Sequence, residues 1–219
     1  MTTWYEYIQR NAPVPVWPYP IRYGEETEIV SDILVIGGGI AGCHAAISVA
    51  RRGASVVAER GMTKRSGSGG AGVDHWHAAC TNPCSGVTPM EYTQAIIDCA
   101  GGYTCGPARY IETNESWDTL LDLEKMGVQI RDVNDEFRGA DFRDEKTKLM
   151  FAYDYKSRHI IRVWGYNIKV CLYNEMKRLG VKTYDRIMVT SLLTEGGTGE
   201  LFRLGMKNPP PPNTRPPSG

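Results

Sequence analysis

Apolar positions along the chain alternate between two periodicities. Ile33-Leu34-Val35-Ile36 is a short unbroken apolar run, the pattern of a parallel strand covered on both faces. Ala41–Arg52 follows with helical spacing and many small residues, Gly53 ends it, and Ser55–Ala58 supplies a second strand. Two irregular stretches come next: Gly61–Gly72, crowded with Gly and Ser, and Ala79–Pro89, punctuated by Pro83 and Pro89. Helices are predicted over Pro89–Cys99 and Ala108–Met126. The second sets Ile111, Leu120, Leu121 and Leu123 at apolar positions and stops at Lys125-Met126-Gly127. Arg131–Tyr155 is strongly charged and weakly periodic, so short strands and loops are expected. Ile168–Leu179 reads as an amphipathic helix closed by Gly180, and Val181–Tyr184 and Ile187–Leu193 as strands. Strands alternating with helices place the chain in the α/β class.

The flanks differ from this body. Residues 1–30 are rich in Pro, Tyr and Trp, with four prolines between Asn11 and Tyr23, so an extended arm is expected there, suited to docking on a surface. The body runs over residues 31–200. The segment 201–219 holds Pro209–Pro212 in a row and Pro216-Pro217, a composition that reads as a disordered tail. No internal repeat of fixed period is apparent.

Composition changes this picture little. A formal charge of zero and 42% hydrophobic residues describe an ordinary globular domain able to bury a core. The mixing of basic and acidic residues argues against nucleic acid and a charged membrane surface as partners. Without a basic n-region, an apolar leader or a spanning run, the expected location is the cytoplasm, with no direct membrane insertion. In that setting Cys43, Cys80, Cys84, Cys99, Cys105 and Cys171 are read as reduced thiols. The intervals of three, fourteen and five residues between Cys80, Cys84, Cys99 and Cys105 contain no tight CxxC pair, so no metal site is assigned.

The chemistry lies in Gly37-Gly38-Gly39-Ile40-Ala41-Gly42, which fits GxGxxG between a strand and a helix. Gly37 permits the tight turn, Gly39 lets a pyrophosphate approach the backbone, and Gly42 allows the helix to pack closely on the strand. The helix N-terminus offers unpaired N–H groups to phosphate. Glu59 closes the second strand seventeen residues after Gly42, where a carboxylate accepts hydrogen bonds from ribose hydroxyls. These features predict a dinucleotide site. An acid at that position serves NAD and FAD alike, and the loop Arg65–Gly72 decides between them. Ser66, Gly69, Gly70, Ala71 and Gly72 stand where an NAD dehydrogenase begins its next helix, and such a loop can surround a pyrophosphate and reach a flavin.

Asp32–Gly42, then Glu59-Arg60, then Arg65-Ser66 leading into a Gly/Ala loop, resemble the flavoprotein subunits of the succinate dehydrogenase and fumarate reductase family. That family includes L-aspartate oxidase and the adenylylsulfate reductase α subunit. Gly165–Tyr173 and Asp185–Leu193 resemble its helix-strand return to the adenine side of FAD, where Val189 lies, so the likeness extends over Ser31–Leu193. The resemblance implies a Rossmann-like FAD-binding domain of the glutathione-reductase type, a small anionic substrate and an iron–sulfur subunit as electron partner. Covalently flavinylated members carry a histidine after the Arg-Ser pair. Gly67 stands there, so FAD is expected to bind noncovalently. Family members are two to three times longer, and their capping domain and substrate-binding arginines lie beyond Leu193. The domain is therefore expected to be incomplete, the N-terminal piece of a truncated or frame-shifted gene product.

Other residues are weighed against packing. Asp74-His75-Trp76-His77 could move protons beside a flavin, but two histidines at i and i+2 read first as a structured loop. Arg158, His159 and Arg162 receive no role, since arginines in a charged stretch are usually solvated or ion-paired. The five tryptophans are too scattered for a stacking platform. The leading function is thus the FAD-binding portion of an electron-transferring oxidoreductase. The alternative is a cofactor-binding remnant or interaction module without turnover. An NAD-linked enzyme is disfavoured by the loop from Ser66 to Gly72.

Overall fold

The computed structural model describes Arg10 and residues 29–53, 55–194 and 202–207. The predicted arm, but for Arg10, Ile29 and Val30, and the tail from residue 208 onward lie outside the described residues.

The body is built on three parallel strands, β1 (Ile33–Ile36), β2 (Ser55–Glu59) and β6 (Lys182–Asp185), in the order β1-β2-β6. Val35 lies opposite Val57, and Glu59 opposite Asp185. Helix α1 (Ile40–Ala50) makes the crossover from β1 to β2, and α4 (Ile168–Arg178), entered through a 3-10 turn at Gly165–Asn167, leads into β6. The apolar stripe of α4 falls at Ile168, Cys171, Leu172 and Met176, and it packs on the face of α1 that carries Cys43, Ala46 and Ile47.

Between β2 and α4 come β3 (His75–Trp76), α2 (Pro89–Cys99), α3 (Gly106–Lys125), β4 (Met150–Phe151) and β5 (Ile161–Arg162). Helix α2 starts where the sequence dictates. Thr88 Oγ1 accepts from the Glu91 N–H at 3.2 Å, the Glu91 carboxylate accepts from the Thr88 N–H at 2.8 Å, and Pro89 fills a first-turn position that needs no N–H. Leu120 and Leu123 of α3 join the core. The short strands form a second, antiparallel sheet in the order β3-β5-β4. The charged stretch 131–155 does fold into loops and short strands, around an arginine. Arg143 is buried, its Nε 2.8 Å from Asp132 Oδ2 and its Nη1 2.6 Å from Glu145 Oε2, a pairing that lets a guanidinium leave water.

Two expectations are corrected. β1 is not covered on both faces: Ile33, Leu34 and Ile36 are 45%, 40% and 52% exposed, and Val35 alone of the four packs on the core. The reason is topological, since among the described residues β1 has a strand partner only on the β2 side. The tail does not begin at 201, because β8 (Phe202–Lys207) pairs antiparallel with β7 (Met188–Thr194).

Candidate functional site

The strand-turn-helix corner places the glycine motif at the C-terminal end of β1. Gly37 has φ +98°, Gly38 is buried, and Gly39 is the N-cap of α1 with no side-chain cap. The first intrahelical bond runs from the Cys43 N–H to the Gly39 carbonyl at 2.9 Å. The N–H groups of Gly39, Ile40, Ala41 and Gly42 therefore have no protein acceptor among the described residues. Four orphan donors converging at the positive end of a helix form an anion site. Gly42 is required for contact: a Cβ there would lie 1.9 Å from the Gly37 carbonyl oxygen.

Glu59, at the end of β2, is turned onto the same corner. One carboxylate oxygen accepts from the Gly38 N–H and the other from the Gly61 N–H at 2.8 Å. Burial pushes the Glu59 carboxyl up, but the Gly61 and Gly38 N–H groups, the Ser66 hydroxyl and the charge of Lys169 together outweigh it and hold it below the ordinary glutamate range. Its neighbour Arg60 is exposed.

The second loop folds back over the first. Gly67, at φ +80°, lies so close to Gly39 that a Cβ would sit 2.9 Å from the Gly39 Cα. Ser66 points inward rather than into open space, its Oγ donating to the Gly38 carbonyl at 2.9 Å. Gly69 and Gly70 are buried and Ala71 is exposed. Gly72, at φ +117°, packs against the Tyr166 backbone, and Val73 exchanges backbone hydrogen bonds with Gly165. Val189 lies on β7, whose approach is tied to the acid: Ile187 N–H donates to Glu59 O at 2.9 Å and Arg186 N–H to Gly61 O at 2.8 Å. The sequence-derived residues are thus gathered from β1, α1, β2 and the loop at one corner, with Val189 on the adjoining strand.

Three residues at this corner were not singled out from the sequence. Thr63, buried, donates through its N–H and Oγ1 to Asp185 Oδ1 at 2.9 and 2.6 Å, fastening the loop to β6. Lys169, fully buried, donates to the Gly38 carbonyl. Its only sequence signal is a lysine beside Ile168 on the apolar stripe of α4.

The histidines lie further along the chain. A cleft of about 390 Å³ is lined by His75, His77, Glu112 and Glu115, and a second of about 300 Å³ by His77, Tyr92, Arg109 and Glu112. His75 Nδ1 is 2.5 Å from Asp74 Oδ1, and burial with the neighbouring His75 lowers the His77 pKa. Neither cleft favours an anion, because Glu112 lines both and Arg109 is held by Glu112 at 2.6 Å. His159 is buried against the Tyr92 ring, Arg158 stacks over Phe151, and Arg162 is exposed on β5, so these three act in packing or face solvent.

All six cysteines are free. Among the described residues, no group of three or more His, Cys, Asp or Glu is placed to hold a metal ion, and no helix is long and apolar enough to cross a membrane.

Over residues 32–206 the sequence matches the FAD binding domain family. The chain belongs to that family. Its cofactor is FAD, and the orphan N–H groups at α1 fit the pyrophosphate of such a dinucleotide. The fold of this FAD-binding domain resembles that of adenylylsulfate reductase from Archaeoglobus fulgidus, with a TM-score of 0.66 at 19% identity over 81% of this chain and 27% of that one. It also resembles the 3-ketosteroid-Δ4-(5α)-dehydrogenase of Rhodococcus jostii RHA1, with a TM-score of 0.58 at 18% identity over 81% of this chain and 42% of that one. A flavocytochrome c3 fumarate reductase gives 0.55 at 16% over 76% and 28%. The chain therefore spans about a quarter to two fifths of the length of these proteins. No curated protein matches it in sequence.

Proposed function

We propose that this chain is the FAD-binding portion of a flavoprotein oxidoreductase of the fumarate reductase and succinate dehydrogenase type. Electrons would pass between a small anionic substrate and an iron–sulfur partner. The observation that carries the reading is the cluster of four unpartnered N–H groups at the start of α1, roofed by the Gly67 loop. In this reading Gly37–Gly42 bind the pyrophosphate without a covalent link. Glu59 accepts from the adenosine ribose, Val189 lies toward the adenine, and Ser66–Gly72 lead toward the flavin. FAD when bound supplies the redox chemistry, and the protein supplies binding, orientation and electrostatics.

The anionic substrate is favoured by the name of one similar fold, a fumarate reductase, while another is named for a steroid. Since Glu112 lines both histidine clefts, the cationic side chains that bind the anionic substrate in this reading would lie elsewhere. A second reading, a cofactor-binding module without turnover of its own, is favoured by the exposed apolar side chains of β1 and by an edge of that strand that has no strand partner among the described residues.

The test is the visible spectrum of the purified chain before and after acid precipitation. A flavin band that moves to the supernatant is expected. A colourless protein that fails to take up added FAD overturns the proposal, and a band that stays with the precipitate overturns its noncovalent form.

A further inference from the structure

One residue of the glycine motif, Gly38, is held through both of its backbone groups. The Gly38 N–H donates to the Glu59 carboxylate. The Gly38 carbonyl accepts from Lys169 Nζ, from Ser66 Oγ at 2.9 Å and from Cys43 Sγ at 3.4 Å. The 38–39 peptide is planar and trans, so its carbonyl and the N–H of Gly39 point in opposite directions. A carbonyl held inward by Lys169 thus turns the Gly39 N–H outward, where the N–H groups of Ile40, Ala41 and Gly42 also await an acceptor.

The lysine is badly placed for stability. It is fully buried, forms no ion pair among the described residues, and sits in the first turn of α4, where the helix dipole disfavours a cation. Among the described residues its hydrogen-bond partners are two, the Gly38 carbonyl and Cys43 Sγ at 3.0 Å, for a group with three donors. A buried ammonium is costly; the Glu59 carboxylate, on the other side of Gly38, feels its charge without forming an ion pair with it, and an anion at the mouth of the loop would offset the rest.

Building on the FAD reading, we propose that Lys169 is a positioning residue for the dinucleotide: it aims the Gly39 N–H at the pyrophosphate through the Gly38 carbonyl and sets a buried positive charge behind the loop. The role is indirect, because the side chain lies beneath the backbone that meets the ligand.

The experiment compares wild-type chain, Lys169→Met and Lys169→Gln, each stripped of flavin, by urea denaturation and by titration with free FAD at low and high salt. Lys169→Met is expected to be as stable as wild type or more so, to bind FAD at least about tenfold more weakly, and to show a shallower salt dependence. Lys169→Gln, which keeps a neutral donor for Gly38, is expected between the two. Wild-type affinity in Lys169→Met overturns the proposal. So does the failure of both variants to fold without flavin, which would make the lysine a structural support for α4. A wild-type chain that takes up no FAD instead refutes the cofactor reading itself and is recognised before any variant is compared.

Discussion

Replacing Gly67 by Ala tests the closure of the second loop onto the first. At φ +80° an L-residue in this left-handed region costs about 1–2 kcal/mol. The new Cβ would also stand 2.9 Å from the Gly39 Cα, so the two backbones must part by roughly half an ångström or more to regain a carbon–carbon contact of about 3.5 Å. Overpacking of that kind adds about 1–3 kcal/mol, for a total of about 2–5 kcal/mol. The strain falls on stability if the loop stays shut and on cofactor affinity if it swings open. Urea unfolding of the flavin-free chain and FAD titration of the folded chain should therefore be measured on one preparation. Gly53→Ala is the control, because nothing lies within 4 Å of a Cβ there and its φ is not positive. It should change stability by no more than about 0.5–1 kcal/mol and leave FAD affinity alone. If Gly67→Ala matches Gly53→Ala in both assays, the loop is not packed on Gly39 and the argument fails.

Glu59→Gln should weaken both the loop and FAD binding at neutral pH, because the Gly38 and Gly61 N–H groups donate to different carboxylate oxygens and one of these becomes an NH2 that cannot accept. The partial exposure of Glu59 screens the effect to about 1 kcal/mol. Since the folded-state pKa is depressed, the wild-type advantage is present above the ordinary glutamate value of 4.5 and fades as pH falls below it; titrations at pH 7 and near pH 4 check this. Thr88→Ala, which removes the N-cap of α2, should lower stability by about 1 kcal/mol in urea while the folded chain keeps its FAD affinity.

Much of the site was readable in sequence because a glycine motif between a strand and a helix dictates a corner with free N–H groups, and Glu59 lies at the end of the next strand wherever the helix packs. The covering of β1 was not, since Ile33-Leu34-Val35-Ile36 records what a strand could bury and says nothing of what neighbours are there. Lys169 escaped notice because a lysine in an amphipathic helix normally marks the wet face, and only the approach of α4 to α1 shows it pointing into the core. Ser66 was correctly placed in the loop, yet its hydroxyl serves the Gly38 carbonyl. β8 was hidden by its nearness to the proline run, which masks the apolar residues Phe202, Leu204 and Met206.

The fastenings of the glycine corner also set a timetable. Gly38 and Lys169 are 131 residues apart along the chain, Thr63 and Asp185 are 122 apart, and β2 finds its second neighbour only in β6. During synthesis β1, α1 and β2 emerge early and wait, while Lys169, which holds the Gly38 carbonyl, arrives with α4 and Asp185, which fastens Thr63, with β6. Pairings so distant close slowly, so the nucleotide pocket should be among the last parts of the domain to acquire native geometry. In refolding from urea with FAD present, flavin quenching should lag behind the recovery of helical signal by a rate that does not depend on cofactor concentration.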